Sequence, residues 1–384
     1  MELDLKQILD LIKNNKNRDA INELDKLIEK DDKNINYYHL RGISYLKIAE
    51  FAEAKNNFDK LIYLESKFPD VYNNLGVLYF TTGENELAIE NFRKAITLKN
   101  NFKQAIFGLI KALTHLNKSK LNGLNLISKH NEINKIDINY SPNKYIEDSE
   151  IKDFFDKANQ KIGDEFKNFE YTSTQIYRRD STILNCKRHK KVFNIYDVIP
   201  KFCFGCYKVQ IEPEKILDLI KLYILFDKIS LNNIRKCMIE LRPNVAGKYK
   251  GLIYCDSVEE AIKIQEQLNR LIEKNFNKKL SSTIKRGCTE YGVKYPEYNK
   301  IDNNPMEHKS DWSKYEKLVD EKFPNLAFNE KLRPTIKGIS LHDILVIKNW
   351  LAYASLTGDQ SHKLVSDQIF KSNFIEKKIN FKNA

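Results

Sequence analysis

Five residue pairs in this chain recur at an interval of 34 positions: Tyr38 and Tyr72, Gly42 and Gly76, Tyr45 and Tyr79, Ala54 and Ala88, Phe58 and Phe92. A period of this length in aromatic, small and apolar residues describes a helix–turn–helix unit. Its apolar face is too small to fold alone and must be buried on a neighbouring copy. The small residues at Gly42 and Ala54 predict a crossing where two helices approach closely. Ala20, Leu24 and Leu27 stand 34 positions before Ala54, Phe58 and Leu61, so residues 3–32 read as a degenerate first copy. Ile106, Leu109, Ile110 and Leu113 continue the first-helix pattern with no second helix following, as expected of a capping helix that closes the stack.

Over residues 1–117 this pattern resembles the tetratricopeptide repeat family. The resemblance implies a concave groove lined by the first helix of each repeat, holding a protein or peptide partner. In the repeat phase the implied groove carries Leu5, Leu9, Asn36, His39, Ile43, Asp70, Asn73, Asn74 and Val77, with Leu9, His39, Ile43, Asn73, Asn74 and Val77 the expected contact residues. The chaperone-binding members clamp a terminal carboxylate with Lys and Asn. Leu5 and Leu9 occupy those positions here, which argues against that mode.

Charge separates the chain into two kinds of surface. The formal net charge is +12, yet residues 1–117 hold 17 basic and 17 acidic side chains, so all of the excess lies beyond them. The opening MELDLKQILDLIKNN has carboxylates where an export signal would be basic, and no apolar run approaches the ~18–20 residues of a membrane span. A cytoplasmic protein without a membrane segment is expected.

All six cysteines fall between Cys186 and Cys288. In a reducing compartment they should be thiols, metal ligands or redox groups rather than disulfides. Cys186-Lys-Arg-His189 and Cys203-Phe-Gly-Cys206 have the spacing of paired ligands on two turns, which predicts one tetrahedral zinc held by Cys186, His189, Cys203 and Cys206 with a loop between the pairs. Inert packing thiols and a redox-active Cys203–Cys206 pair are the alternatives.

Residues 206–288 alternate as strand, helix, strand, strand, helix, strand: Tyr207–Glu212, Glu214–Ile229, Lys236–Leu241, Tyr249–Cys255, Val258–Phe276 and Ser282–Cys288. This order predicts a ferredoxin-like arrangement. The expected fold class is therefore α+β. A tetratricopeptide-type α-solenoid (1–117) precedes a linker with one helix (118–170). A basic, cysteine-containing α+β domain (171–295) and an irregular, then helical, C-terminal segment (296–384) follow.

Functionally this predicts an interaction adaptor coupled to a basic, zinc-binding effector domain. An enzyme whose substrate the repeats recruit is the first alternative, with Glu240, Arg242, Arg286, Cys288 and Glu290 as candidates near strand ends. No nucleotide loop, zinc-protease helix or nucleophile elbow is present to support it. The second alternative is a nucleic-acid or other anionic partner at residues 171–211, where eight basic and two acidic side chains are interleaved with Tyr171, Tyr177, Phe193 and Tyr196.

Overall fold

A computed structural model describes residues 4–116, 124–136, 140–163, 166, 169–179, 184–242, 245–276, 280–302, 305–328 and 334–383. The helices begin with α1 (Leu5–Lys13), α2 (Asn17–Lys30), α3 (Ile35–Lys47), α4 (Phe51–Leu64), α5 (Pro69–Thr82), α6 (Asn85–Leu98) and α7 (Lys103–Leu113). Next come α8 (Asn125–Asn134), α9 (Asp148–Ile162), strand β1 (Gln175–Arg178), α10 (Cys186–Tyr196) and α11 (Lys201–Gly205). Then β2 (Tyr207–Ile211), α12 (Ile216–Lys228), β3 (Arg235–Ile239), β4 (Tyr249–Cys255), α13 (Val258–Asn275) and β5 (Ser282–Arg286) follow. The chain closes with α14 (Ser313–Lys322), α15 (Pro324–Ala327), α16 (Leu341–Leu356) and α17 (Asn373–Asn383). None of the helices in the described residues is long and apolar enough to cross a membrane.

Two compact units form: Met1–Ala112 with Ile183–Pro200 and Lys309–Leu332, and Leu113–Thr182 with Lys201–His308 and Arg333–Ala384. In the first unit, α1 to α7 are consecutive antiparallel helices in the predicted 34-residue phase. Ala54, Phe58, Ala88 and Phe92 are almost wholly buried. The close approach differs in detail from the expected Gly42–Ala54 crossing. A Cβ at Gly42 would lie 2.5 Å from the Phe58 ring, and one at Gly76 would lie 2.6 Å from the Phe92 ring. Glycine is thus required by the aromatic residue of the following helix. Gly83, at φ 88°, ends α5 in the left-handed conformation. Helices α10 and α14 pair through Arg188, whose guanidinium donates to Asp320 (2.6 and 2.8 Å) and Glu316 (2.8 Å). Phe328, just after α15, packs edge-on against Phe51 at 4.7 Å.

The second unit is built on an antiparallel sheet in the order β1–β3–β4–β2–β5. Register places Val209 opposite Ile253 and Cys237 opposite Gly251, so these residues share one face. Gly251 lies under Leu222 and Phe226 of α12, which assigns that face to the helices. Helix α12 is apolar around its circumference because α9 and α16 cover the side facing away from the sheet. Lys221 interrupts that apolar run and is buried. Its ammonium bonds Tyr145 Oη at 3.1 Å and Asp148 at 2.6 Å. Helix α16 is likewise buried, with Trp350 donating its indole N–H to Thr174 O at 2.9 Å. Its N-terminus is closed by a reciprocal pair: Ser340 N donates to Asp343 at 2.9 Å and Asp343 N to Ser340 Oγ at 3.2 Å.

In the stretch expected to be a linker with one helix (118–170), α8, which runs to Asn134, precedes α9. It carries His130, which is 2% exposed and whose Nδ1 has no hydrogen-bond partner. Burial lowers its pKa to about 4 from its ordinary 6.5, against a smaller opposing pull from Asp343. The unfolded chain then binds the proton more readily, so stability falls as pH drops from about 6.5 toward 4. At pH 5 the expected loss relative to pH 7 is about 2 kcal/mol. Chemical denaturation at both pH values should show this difference shrinking by that amount in His130→Leu. An unchanged difference would mean that His130 is protonated in the fold.

Candidate functional site

The first helices α1, α3 and α5 carry the expected groove residues. Adjacent first helices are joined where Asn74 Nδ2 lies 3.0 Å from His39 Nε2, and where Lys47 Nζ donates to Ile12 O at 3.0 Å. His39 also packs edge-on against Phe68 at 5.1 Å. Its pKa is lowered by burial, with Asp70 pulling the other way, so the ring is neutral at pH 7. Leu9 and Val77 are each 40% exposed, and Ile43, at the same repeat position between them, is half-buried. Among the described residues Asn73 Oδ1 is buried and accepts no hydrogen bond. These positions therefore offer an apolar row, a neutral imidazole–amide pair and an unsatisfied acceptor. In α7, Phe107 stands 34 positions after Asn73 and Lys111 34 after Val77, with Lys111 Nζ 4.6 Å from the Phe107 ring centre. The same period predicts both, although the sequence reading stopped the groove at Val77.

The four expected zinc ligands do not come together. Among the described residues, no group of three or more His, Cys, Asp or Glu side chains could hold a metal ion. The stretch expected to be a loop between ligand pairs begins as helix α10, with Cys186 at its first position and His189 buried one turn later. Cys186 and His189 belong to the first unit, and Cys203 and Cys206 to the second. Cys203 Sγ hydrogen-bonds with Cys288, and that bond together with burial pushes its pKa far up. Burial pushes the Cys206 thiol up to about 12. A protonated thiol is a poor nucleophile, which weakens the redox reading. The six cysteines are all free thiols.

The other candidates are committed to structure. Glu240, 2% exposed, accepts from Arg242 at 2.8 and 2.9 Å and from Lys250 at 3.0 Å. Burial would raise its pKa, but these hydrogen bonds hold it at about 2. Arg286 is buried and donates to Tyr298 O at 3.1 Å and Tyr207 Oη at 2.7 Å. Cys288 lies against Cys203. Glu290 lies close enough to Lys208 to raise its pKa, against a larger lowering by burial. The basic strip is not uniformly solvated. Arg178 is 5% exposed between Asp227 and Asp343, Arg188 is paired as described, and Lys208 is buried with its ammonium on Gly287 O at 3.1 Å. Lys187, Lys190 and Lys201 are exposed.

Comparison with known proteins points to the repeats alone. The tetratricopeptide repeat family model matches residues 69–102. No curated protein matches the chain. Among solved structures, a crystal structure of MamA is 29% identical over 28% of this chain, with a TM-score of 0.27. This chain spans about three-fifths of that protein, 63% of its length. The second tetratricopeptide domain of human RPAP3, solved with an HSP70 peptide, is 24% identical over 28% of this chain and 90% of that one, with a TM-score of 0.27. YrrB, described as having an unusual peptide-binding site, is 24% identical over 28% of this chain and 55% of its own, with a TM-score of 0.26. Residues 69–102 of this chain are thereby identified as a tetratricopeptide-repeat segment.

Proposed function

We propose that the protein is an interaction adaptor whose repeat groove holds an extended peptide segment of a partner protein. The observation that carries this is that Leu9 and Val77, at the same repeat position, are both 40% exposed while Asn73 Oδ1 is buried and, among the described residues, unsatisfied. Apolar side chains of a partner would cover the first two. A backbone N–H would satisfy the third, and an extended peptide supplies both at regular intervals. The near-neutral His39–Asn74 pair and the balanced charge of the repeats favour a peptide of low net charge. The second unit is then the effector. Its strand order β3–β4–β2–β5, with α12 and α13 in the connections, supports the ferredoxin-like reading, with β1 added at the edge. Six free thiols fit a reducing, cytoplasmic setting.

Peptides selected from a displayed library against the full chain provide the test. Val77→Lys changes an exposed position, so the fold should survive, and affinity for the selected peptides should fall at least tenfold. Tyr63→Ala, at a residue 82% exposed on α4, should leave affinity unchanged. Selected peptides whose binding is lost with Tyr63→Ala and kept with Val77→Lys would place the binding face elsewhere.

A further inference from the structure

The second unit contains a cleft of about 680 Å³ whose lining combines aromatic rings with a cation that no described carboxylate pairs with. Lys348 and Leu345 of α16 line it together with Phe166, Phe169, Tyr171 and Phe370. The rings brace one another: Phe166 meets Phe169 edge-on at 5.6 Å, and Phe155 meets Phe370 at 5.6 Å. Tyr171 is fixed by its hydroxyl, 2.6 Å from His342 Nδ1. Beside them Ile369 is 67% exposed, an apolar side chain left at the rim.

Lys348 makes this cleft unlike an ordinary surface groove. Its ammonium lies 5.7 Å from the centre of the Phe370 ring, and among the described residues no carboxylate forms an ion pair with it. Burial, with Lys129 nearby adding like charge, lowers its pKa to about 8, so it is still mostly charged at neutral pH. Other polar groups of the cleft are committed. Asn349 donates to Tyr171 O at 2.5 Å and to Ser173 O at 2.9 Å, and Asn159 donates to Gln368 at 3.2 Å. The N-terminus of α17 is closed by Ser372, which accepts from Ile375 N at 3.4 Å. Lys371 adds a second cation at the surface, and among the described residues Glu170 is the one carboxylate lining the cleft. It is exposed and pairs with neither lysine.

A desolvated ammonium without a counter-ion is costly, and an anion that brings its own apolar body relieves that cost while covering the rings. We propose that this cleft binds an organic monocarboxylate with an apolar body, its carboxylate on Lys348 and its chain against Phe166, Phe169, Phe370 and Ile369. A single negative charge matches the one ammonium held beside the Phe370 ring. The volume suits a ligand of drug-like size.

Isothermal titration of the full chain with decanoate below its micellar range tests the assignment. Saturable binding is expected. Lys348→Met removes a desolvated charge and should fold, yet it should weaken decanoate binding at least tenfold, whereas Lys348→Arg should stay within a few-fold of the parent. Ile369→Glu, at an exposed position, should weaken binding comparably by repelling the carboxylate. Decanol and decyltrimethylammonium, which share the chain but lack the anion, should not compete. Absence of saturable binding, equal affinity in Lys348→Met, or competition by decyltrimethylammonium would each overturn the proposal.

Discussion

Replacing Arg178 by Met is expected to destabilise the second unit by about 3–5 kcal/mol, the cost of leaving buried charge without its partner. The side chain is 5% exposed at the end of β1 and ties three elements together. Nε donates to Asp227 of α12 at 2.6 Å, and the two terminal nitrogens reach Asp343 of α16 at 3.1 and 3.4 Å. Nη2 also bonds Gly338 O at 2.8 Å and Tyr223 Oη at 3.0 Å. The carboxylates have further work: Asp227 accepts from Gly338 N, and Asp343 closes the N-terminus of α16. Without the guanidinium, both must be solvated or protonated in a dry site. Lys should rescue little, since one ammonium cannot reproduce the fork that meets two carboxylates. Hydrogen exchange resolved by segment reads the effect directly, with protection expected to drop in β1, α12 and α16. Protection within about 1 kcal/mol of the parent would show that the network is a passenger.

The same residue shows where sequence reasoning runs out. Arg178 and Arg188 were counted as a basic strip because their neighbours in the chain are basic. Their partners stand far off, Asp227 and Asp343 at 49 and 165 positions from Arg178, and Asp320 at 132 from Arg188. Local charge counting cannot see such pairs, so a structural hub reads as a solvated face. The zinc expectation finds no support for a related reason. Ligand spacing assumes a loop between the pairs, and the run from Cys186 to Tyr196 folds as a helix instead. Strand β1 escaped notice because four residues, Gln175 to Arg178, include two polar side chains and show no sustained alternation. The aromatic cleft around Lys348 could not be read either, since it joins residues from α9, α16 and the segment before α17. The repeats were legible because their contacts are local and recur. Each first helix meets its own second helix, so the period writes the packing directly into the chain. The shared repeat position of Leu9, Ile43 and Val77 followed from that phase, while the exposure of Leu9 and Val77 and the unsatisfied Asn73 acceptor needed coordinates.

That locality makes Phe92 the residue on which the repeat stack depends most, and Phe92→Ala should cost about 3–5 kcal/mol. The ring is 1% exposed and belongs to α6, yet it is pressed against backbone on two other helices. A Cβ at Gly76 in α5 would lie 2.6 Å from it, and one at Gly108 in α7 would lie 2.5 Å away. One aromatic side chain thus fills the space between the third repeat and the capping helix, and no neighbouring glycine has a side chain to collapse into the void. Loss of protection should appear in α5, α6 and α7 together and spread less to α1 and α2, because each repeat contacts only its neighbours. Leu87→Ala, on the same helix but 40% exposed, should change stability by no more than about 0.5 kcal/mol. The sharper test is the pair. Gly76→Ala alone should overpack by roughly 1–3 kcal/mol, because the added methyl strikes the ring. In the Phe92→Ala background the methyl enters the space the ring has left, so the double variant should lose clearly less than the sum of the two single losses. Strict additivity would mean that Gly76 and Phe92 do not touch, and the packing inferred from the 34-residue period would have to be redrawn.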